Sequence, residues 1–288
     1  MKRFCVFTPT YNRAYTLPRL FESLEAQECK DFVWHITDDG STDNTPEVVQ
    51  GFIDKGTVEI RFDRCENGGK TRAVVRAAAQ AREELFLVAD SDDWFTPDAI
   101  AVFSSTWDEC KGDPHIAGMI SLRGHDDGTA MDRMPEGVSQ TNSWDLYTRY
   151  HFASDCLHVY RTRIFNMYPA PVVDSEKFIS EGWTINHIAQ EYDVRLIDQV
   201  LYLGDYLSDG LSKSVRKLTK DNPIGYYKTK EFYYEMSKTL GEKVENLALY
   251  LVGAKLAGKE HPVLSAPNKV LAAVLYPAVL LLVRFEYK

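Results

Sequence analysis

The chain has 288 residues, a formal net charge of -9 and a pI of about 5.3. This acidic balance argues against nucleic acid as a partner, because nucleic-acid-binding domains carry a basic footprint. The five cysteines show neither Cys-x-x-Cys nor paired metal spacing, which predicts reduced core thiols of a cytoplasmic protein. The first apolar run stops at Thr8 and Pro9, so no export signal is expected.

Strand and helix signals alternate over the first hundred residues. The predicted strands are residues 4–8, 32–37, 58–62 and 85–89, and the predicted helices are residues 17–27, 46–52 and 70–82. Such alternation is typical of an α/β fold with a mostly parallel, Rossmann-type sheet sandwiched by helices. Ligands of such sheets bind beyond the carboxyl ends of the strands.

Three carboxylates, Asp90, Asp92 and Asp93, directly follow the fourth predicted strand. Carboxylates this close repel one another unless a cation or hydrogen-bond donors neutralise them. Mg²⁺ and Mn²⁺ bind through one or two carboxylates and complete their shell with water and substrate phosphates. The pattern therefore favours a metal site for a diphosphate-bearing ligand. The alternative is an acidic helix entry, with Asp93 or Thr96 as N-cap and Pro97 at the first helical position.

The segment from residue 116 to residue 206 is less regular. Its predicted elements are strands at residues 116–122, 157–160, 194–197 and 200–206, and a helix at residues 180–192. A long polar loop at residues 124–142 is expected to contact substrate. His158 lies in a predicted strand, where a core histidine is favoured over a third metal ligand.

The composition changes after residue 206. Six basic residues and one acidic residue lie between residues 211 and 230, and helical segments follow at residues 223–240 and 244–258. The final apolar run, residues 270–283, is shorter than the ~20 residues that a transmembrane helix needs. Two roles stay open for this run: packing against the protein or another subunit, and contact with a membrane surface.

Four separated motifs resemble those of family-2 glycosyltransferases of GT-A fold, of the bacterial surface-polysaccharide type. The motifs are Thr8-Pro9-Thr10-Tyr11-Asn12-Arg13, Asp38-Asp39-Gly40-Ser41-Thr42-Asp43, Asn67-Gly68-Gly69 with Lys70 and Arg72, and Asp90-Ser91-Asp92-Asp93. The resemblance covers mainly residues 4–100. We expect a GT-A domain at residues 1–210, with a nucleotide-binding half at 1–115 and an acceptor-side half at 116–210. A basic and helical C-terminal extension is expected at residues 211–288.

The resemblance also implies roles for single residues. Asp39 would accept the ring N–H of uracil, and Gly40 would let the backbone approach the base closely. The implied donor-binding residues are Thr8, Pro9, Tyr11, Arg13, Asp39, Gly40, Lys70, Arg72, Asp90 and Ser91, and the implied metal ligands are Asp92 and Asp90. Lys70 and Arg72 lie at the start of a predicted helix, where cations oppose the helix dipole unless an anion or a base is near.

Sugar transfer to a hydroxyl requires a general base. The segment at residues 176–183 resembles the acidic acceptor-side segment of the family, with Ser180 as N-cap and Glu181 as the predicted base. Gly182 stands where many relatives carry Asp, so Glu176 and Asp174 stay open as alternatives.

A further resemblance concerns a loop that closes over the diphosphate in relatives, which would comprise residues 209–212 here. Lys213 and Arg216 would then contact phosphate oxygens. A solvated basic face, or attraction to anionic lipid, is the alternative for these cations.

Together these features predict a metal-dependent, inverting glycosyltransferase. The expected donor is a UDP-sugar, the cofactor is Mn²⁺ or Mg²⁺, and the acceptor is a saccharide or lipid-linked saccharide in surface-polysaccharide biosynthesis. A cytoplasmic location at the inner face of the cell membrane, peripheral membrane contact through the C-terminal segment and a homo-oligomer are further expectations. Two alternatives are a sugar nucleotidylyltransferase, which should carry a glycine-rich first loop, and a catalytically silent nucleotide-sugar-binding protein.

Overall fold

The computed structural model describes residues 2–204 and 215–287. The chain divides into two compact units. The sheet unit comprises Met1–Pro169 and Thr184–Leu207, and the helical unit comprises Ala170–Trp183 and Ser208–Lys288. The predicted boundary at residue 210 lies outside the described residues and stays a prediction.

The alternation predicted for the first hundred residues is present. In chain order the elements are β1 (Phe4–Thr10), α1 (Leu17–Glu25), β2 (Phe32–Asp38), α2 (Thr45–Lys55), β3 (Ile60–Arg64), α3 (Lys70–Gln80) and β4 (Leu85–Val88). The next elements are β5 (Trp94–Phe95), α4 (Ala99–Cys110), β6 (Ile116–Gly124), β7 (Gln140–Thr141), α5 (Ser143–Thr148), β8 (Cys156–Arg161), α6 (Thr162–Phe165), α7 (Gly182–Ile188) and β9 (Asp193–Leu203).

The strands form one sheet in the order β3-β2-β1-β4-β8-β6-β9-β5, with β7 paired to β9. Strands β1 to β4 pair in parallel, whereas β8 runs antiparallel to both β4 and β6. Side chains alternate across the sheet: Phe4 and Val6 pack with α1, α2 and α4, while Cys5 and Phe7 pack with α3. Helices therefore cover both faces, and the predicted α/β sandwich is confirmed.

The structure corrects two local predictions. The two strands predicted at residues 194–197 and 200–206 form the single strand β9. The pairing with β6 shifts between Ile197 and Val200, so the exposed Asp198 and Gln199 are accommodated in an irregularity of the ladder instead of ending the strand.

The second correction concerns the chain after the acidic turn. The N-cap of α4 is Asp98, and neither Asp93 nor Thr96 has that position. Residues 94 and 95 form β5 by pairing with β9, which keeps the chain extended and delays the helix.

Among the residues that the structure describes, the helical unit has four helices after the sheet, namely α8 (Val215–Asp221), α9 (Pro223–Met236), α10 (Leu240–Leu256) and α11 (Lys269–Glu286). Its core is formed around Leu247, Tyr250 and Leu251 of α10, with Ala272 and Val279 of α11. Within residues 2–204 and 215–287, no helix has both the length and the apolar character needed to cross a bilayer.

Candidate active site

Four polar segments leave the sheet at one edge, after β1, β2, β3 and β4 in chain order. Thr10 at the end of β1 pairs with Asp38 at the end of β2, Asp38 pairs with Arg64 at the end of β3, and Phe7 pairs with Val88 at the end of β4. Because these strands are parallel neighbours, their carboxyl ends adjoin. The segments that follow them therefore begin side by side, as predicted for a ligand site of an α/β sheet.

The first two segments are joined through Asn12. Its side-chain oxygen accepts the backbone N–H groups of Thr42 at 2.8 Å and Asp43 at 3.3 Å. The backbone N–H of Asn12 donates to Ser41 Oγ at 2.8 Å. Asn12 has a φ of 53°, in the left-handed region that asparagine tolerates better than most residues. The two loops therefore support each other.

Asp39 joins the second segment to the third. Its Oδ1 accepts the N–H of Gly68 and its Oδ2 accepts the N–H of Gly69, both at 2.8 Å. Gly40 has a φ of 80°, and a Cβ there would lie 2.9 Å from the backbone nitrogen of Asn67. Glycine at position 40 therefore allows the close approach that brings Asp39 onto the third segment.

Lys70 joins the third segment to the acidic turn, because its Nζ lies 2.6 Å from Asp90 Oδ1. This pair supplies the anion that a cation at the start of α3 requires. The side chain of Arg72 instead folds back toward the carbonyl of Gly68, at 3.4 Å. Direct bonds thus run from Asp39 through residues 68–70 to Asp90.

Asp92 occupies an unfavourable electrostatic environment. Burial and the nearby Asp90 carboxylate raise the pKa of Asp92, and Arg13 and Lys70 only partly offset this rise. A divalent cation would relieve the repulsion between the two carboxylates, and two carboxylates are a sufficient protein contribution for Mg²⁺ or Mn²⁺. The described residues contain no group of three or more His, Cys, Asp or Glu side chains that could hold a metal. The pair Asp90 and Asp92 fits an ion that takes its other ligands from substrate and water.

Asp93 helps to hold the acidic turn in place. Burial raises the pKa of Asp93 to about 7, and Arg123 opposes that rise from 2.7 Å. Tyr202 of β9 accepts the backbone N–H of Asp90 at 2.7 Å and also bonds Asp93. A Cβ on Gly204 would lie 1.7 Å from Asp93 Oδ1. The sequence reasoning missed Tyr202, Arg123 and Gly204, which lie 30 or more residues beyond the turn and carry no local motif.

The other predicted donor-binding residues differ in exposure. Tyr11 is 47% exposed, Pro9 is half-buried and Ser91 is buried. The Thr8 side chain is fully buried, and its hydroxyl accepts the indole N–H of Trp34 at 3.0 Å. A nucleotide would therefore contact Thr8 through its backbone atoms. Arg13 donates to the Tyr15 hydroxyl.

His158 has the surroundings expected of a core histidine. Its Nδ1 lies 3.1 Å from the Tyr160 hydroxyl, and the two rings stack. Burial lowers the pKa of His158 to about 4, with a smaller opposing effect from Asp155. A hydrogen-bonded, neutral imidazole of this kind needs no metal.

Among the predicted bases, Glu176 has a structural role in the helical unit. Its buried carboxylate accepts the N–H groups of Ile224 at 2.6 Å and Gly225 at 2.7 Å, in the first turn of α9. Asn222 makes the reciprocal contact, accepting the N–H groups of Lys177 and Phe178. Glu176 therefore caps α9 and ties the acidic segment to that helix.

Glu181 and Asp174 lie in the same segment of the helical unit. Glu181 is half-buried and directly precedes α7, whereas Asp174 is exposed. The predicted N-cap Ser180 accepts the N–H of Gly182 at 3.2 Å. A Cβ at Gly182 would lie 2.2 Å from the Tyr233 hydroxyl, so a larger side chain at this position would require Tyr233 to move. Residues 209–212 and Lys213 lie outside the described residues, and Arg216 pairs with Glu286 at 2.6 Å.

The chain matches known proteins over the region that carries this site. The family model "Glycosyl transferase family 2" matches residues 5–167. The poly(ribitol-phosphate) beta-N-acetylglucosaminyltransferase TarS of Staphylococcus aureus is 29% identical over 51% of this chain and 26% of its own length. The chondroitin synthase of Escherichia coli is 26% identical over 87% of this chain and 33% of its own length. The aligned region is thus a quarter to a third of these relatives.

Solved structures show the same fold. The crystal structure of TarS residues 1–349 in complex with UDP-GlcNAc has a TM-score of 0.63 at 18% identity, covering 99% of this chain and 92% of that one. A mannosyltransferase from Pyrobaculum calidifontis in complex with GDP-Man and Mn²⁺ has a TM-score of 0.57 at 16% identity, with coverages of 99% and 81%. The predicted GT-A fold is confirmed. Because the family model covers more than half of the chain, including the strand-end motifs, this protein belongs to glycosyl transferase family 2.

Proposed function

We propose that the protein transfers a sugar from a UDP-sugar donor to a hydroxyl of a saccharide or lipid-linked saccharide, with inversion at the anomeric carbon. The observation that carries this proposal is the bonded series Asp39, Gly68, Gly69, Lys70 and Asp90, which joins three family motifs at one sheet edge. Family membership favours sugar transfer over nucleotidyl transfer. A UDP-sugar is favoured because TarS was solved with UDP and UDP-GlcNAc.

The proposed donor site uses the carboxylate lone pairs of Asp39 that Gly68, Gly69 and the Cys65 thiol leave open. Arg13 and Lys70 supply positive charge near Asp92. Asp92 and Asp90 would hold Mn²⁺ or Mg²⁺, which would supply the positive charge that stabilises a departing diphosphate. Structures of related fold contain Mn²⁺ in their complexes, which supports this choice of ion.

Glu181 is the proposed general base for the acceptor hydroxyl. The capping contacts of Glu176 support Glu181 over Glu176, because taking up a proton would remove the charge with which Glu176 caps α9. The proposed setting is polysaccharide assembly at the inner face of the cell membrane. The relatives named for poly(ribitol phosphate) and chondroitin chemistry support a polymer-related acceptor.

A donor assay tests the proposal. UDP release from a panel of UDP-sugars is measured with Mn²⁺, with Mg²⁺ and with chelator, for wild type, Asp92→Asn and a control, Asp54→Asn. Asp54 is exposed on α2. We expect metal-dependent release that falls about 10²- to 10³-fold in Asp92→Asn and stays unchanged in Asp54→Asn. UDP binding without metal-dependent release from any donor would identify a silent binding protein and overturn the proposed activity.

A further inference from the structure

Helix α11 has two apolar faces. The inner face packs in the core of the helical unit through Ala272 and Val279. On the outer face, Val270 is 79% exposed, Val274 is 71% exposed and Leu281 is 59% exposed. Scattered exposed apolar residues are ordinary on protein surfaces, but a continuous apolar face marks an interaction site.

The outer face is too broad for a seam between two helices. Its exposed apolar residues are Val270, Ala273, Val274, Pro277, Ala278, Leu280, Leu281, Leu282 and Phe285. At 3.6 residues per turn, these positions cover about 200° of the helix circumference. A helix-helix seam needs only the narrow stripe of two positions per heptad. A face of this width fits an extended apolar phase better than a second helix.

The charges around this face match an anionic surface. Lys269 and Arg284 are exposed near the two ends of α11, and the sequence contains no acidic residue between Glu260 and Glu286. Glu286 itself is paired with Arg216. Each exposed cation near an anionic bilayer contributes about 1 kcal/mol of attraction.

The same charge pattern holds for the whole unit. The helical unit contains 14 Lys and Arg residues against 11 Asp and Glu residues, whereas the sheet unit contains 19 against 31. The unit that carries α11 is therefore net positive in an otherwise acidic chain. An anionic membrane would attract the helical unit and repel the sheet unit.

We propose that α11 lies in the interface of an anionic phospholipid membrane, parallel to the bilayer plane. Its outer face would lie among the acyl chains, and Lys269 and Arg284 would reach the headgroups. An interfacial helix normally exposes its other side to water, but here that side packs against α10. The proposal uses only the helical unit, so it stands whether or not the proposed sugar transfer is correct.

Vesicle flotation of the full chain tests the proposal. The vesicles contain phosphatidylcholine alone or are enriched in phosphatidylglycerol, and the proteins are wild type, Leu281→Asp and the matched control Leu240→Asp. Leu240, at the start of α10, is 74% exposed, so both variants make the same change at an exposed leucine. We expect wild type and Leu240→Asp to float with phosphatidylglycerol vesicles. Leu281→Asp should partition at least about tenfold less, because it places a charge among acyl chains.

Three outcomes would overturn the proposal. The wild type fails to float with either vesicle, or the two variants lose binding equally, which would make net charge the cause. Alternatively, sedimentation equilibrium finds a dimer that Leu281→Asp dissociates while flotation is absent, which would assign the face to a second copy of the chain. UDP release, measured in parallel, reports separately on the proposed transfer reaction.

Discussion

The sheet unit and the helical unit use their acidic side chains differently. At the sheet edge, Asp90 and Asp92 face each other's charge, and burial together with that repulsion raises the pKa of Asp92. In the helical unit, both oxygens of Glu176 are occupied by backbone N–H groups of α9. A buried carboxylate held beside a like charge is suited to a cation, whereas a carboxylate that caps a helix with both oxygens serves the scaffold.

The largest expected effect is a loss of kcat that distinguishes Glu181 from Glu176, two glutamates of one segment. Glu181→Gln should lower kcat for transfer about 10²- to 10⁴-fold with little change in stability, because an amide cannot accept the acceptor proton. Glu176→Gln should instead lower the free energy of unfolding by about 1–2 kcal/mol, because a neutral side chain replaces a charged helix cap. Initial rates and urea denaturation of both variants measure the two effects. A loss of kcat in Glu176→Gln with unchanged stability would reverse this assignment.

A smaller effect is expected where the sheet unit packs tightly behind its acidic turn. In Gly204→Ala, the new Cβ would meet the Asp93 carboxylate and Arg123 Nη2, at 1.7 and 2.9 Å before relaxation. We expect a loss of about 3 kcal/mol in unfolding free energy, measured by urea denaturation, together with reduced UDP release.

The control for Gly204→Ala is Gly51→Ala in the middle of α2. A Cβ there meets nothing within 4 Å, and alanine should stabilise the helix by about 0.5–1 kcal/mol. Equal destabilisation by both changes would mean that packing behind the acidic turn is not the cause.

A further expected effect, smaller than that of Gly204→Ala, is a pH dependence of the sheet unit. Burial holds the pKa of His158 at about 4, below the usual 6.5 of an unfolded chain. Between about pH 6.5 and pH 4, His158 is protonated in the unfolded state but not in the folded state. The free energy of unfolding therefore falls as the pH is lowered through this range. We expect this residue to change the free energy of unfolding by about 2 kcal/mol. This is less than the full pKa shift would give, because the side chain is only partly shielded from water.

Urea denaturation at several pH values, with His158→Gln as the comparison, measures this contribution. The pKa of His35 is also lowered by burial, so part of the acid sensitivity should persist in the variant. An identical pH profile for wild type and variant would contradict the assignment of His158 as a neutral core residue.

The sequence pattern predicted the parts of the fold that depend on local periodicity. The first seven elements were predicted within a few residues of their observed bounds, because amphipathic helices and apolar strands carry their period in the sequence. The acidic segment after β4 was likewise visible, since its carboxylates are adjacent in the chain. The bulge at Asp198 and Gln199 was predicted as a break, because two polar residues look the same in a loop and in a bulge.

The contacts that support the site could not be predicted in this way. Tyr202 bonds to Asp90, which lies 112 positions earlier in the chain, and Glu176 bonds to Gly225, which lies 49 positions later. Such bonds depend on strand register and helix packing, which no short window of sequence contains.

The sequence by itself determined the order of strands and helices, the family motifs and the places where charge accumulates. Only the tertiary structure decided which carboxylates are saturated by backbone donors, which are held close to a like charge, and which face of α11 is exposed. The physical reason is that periodicity and composition act between near neighbours in the chain. The environment of a charged group is set by atoms that folding brings together from distant segments.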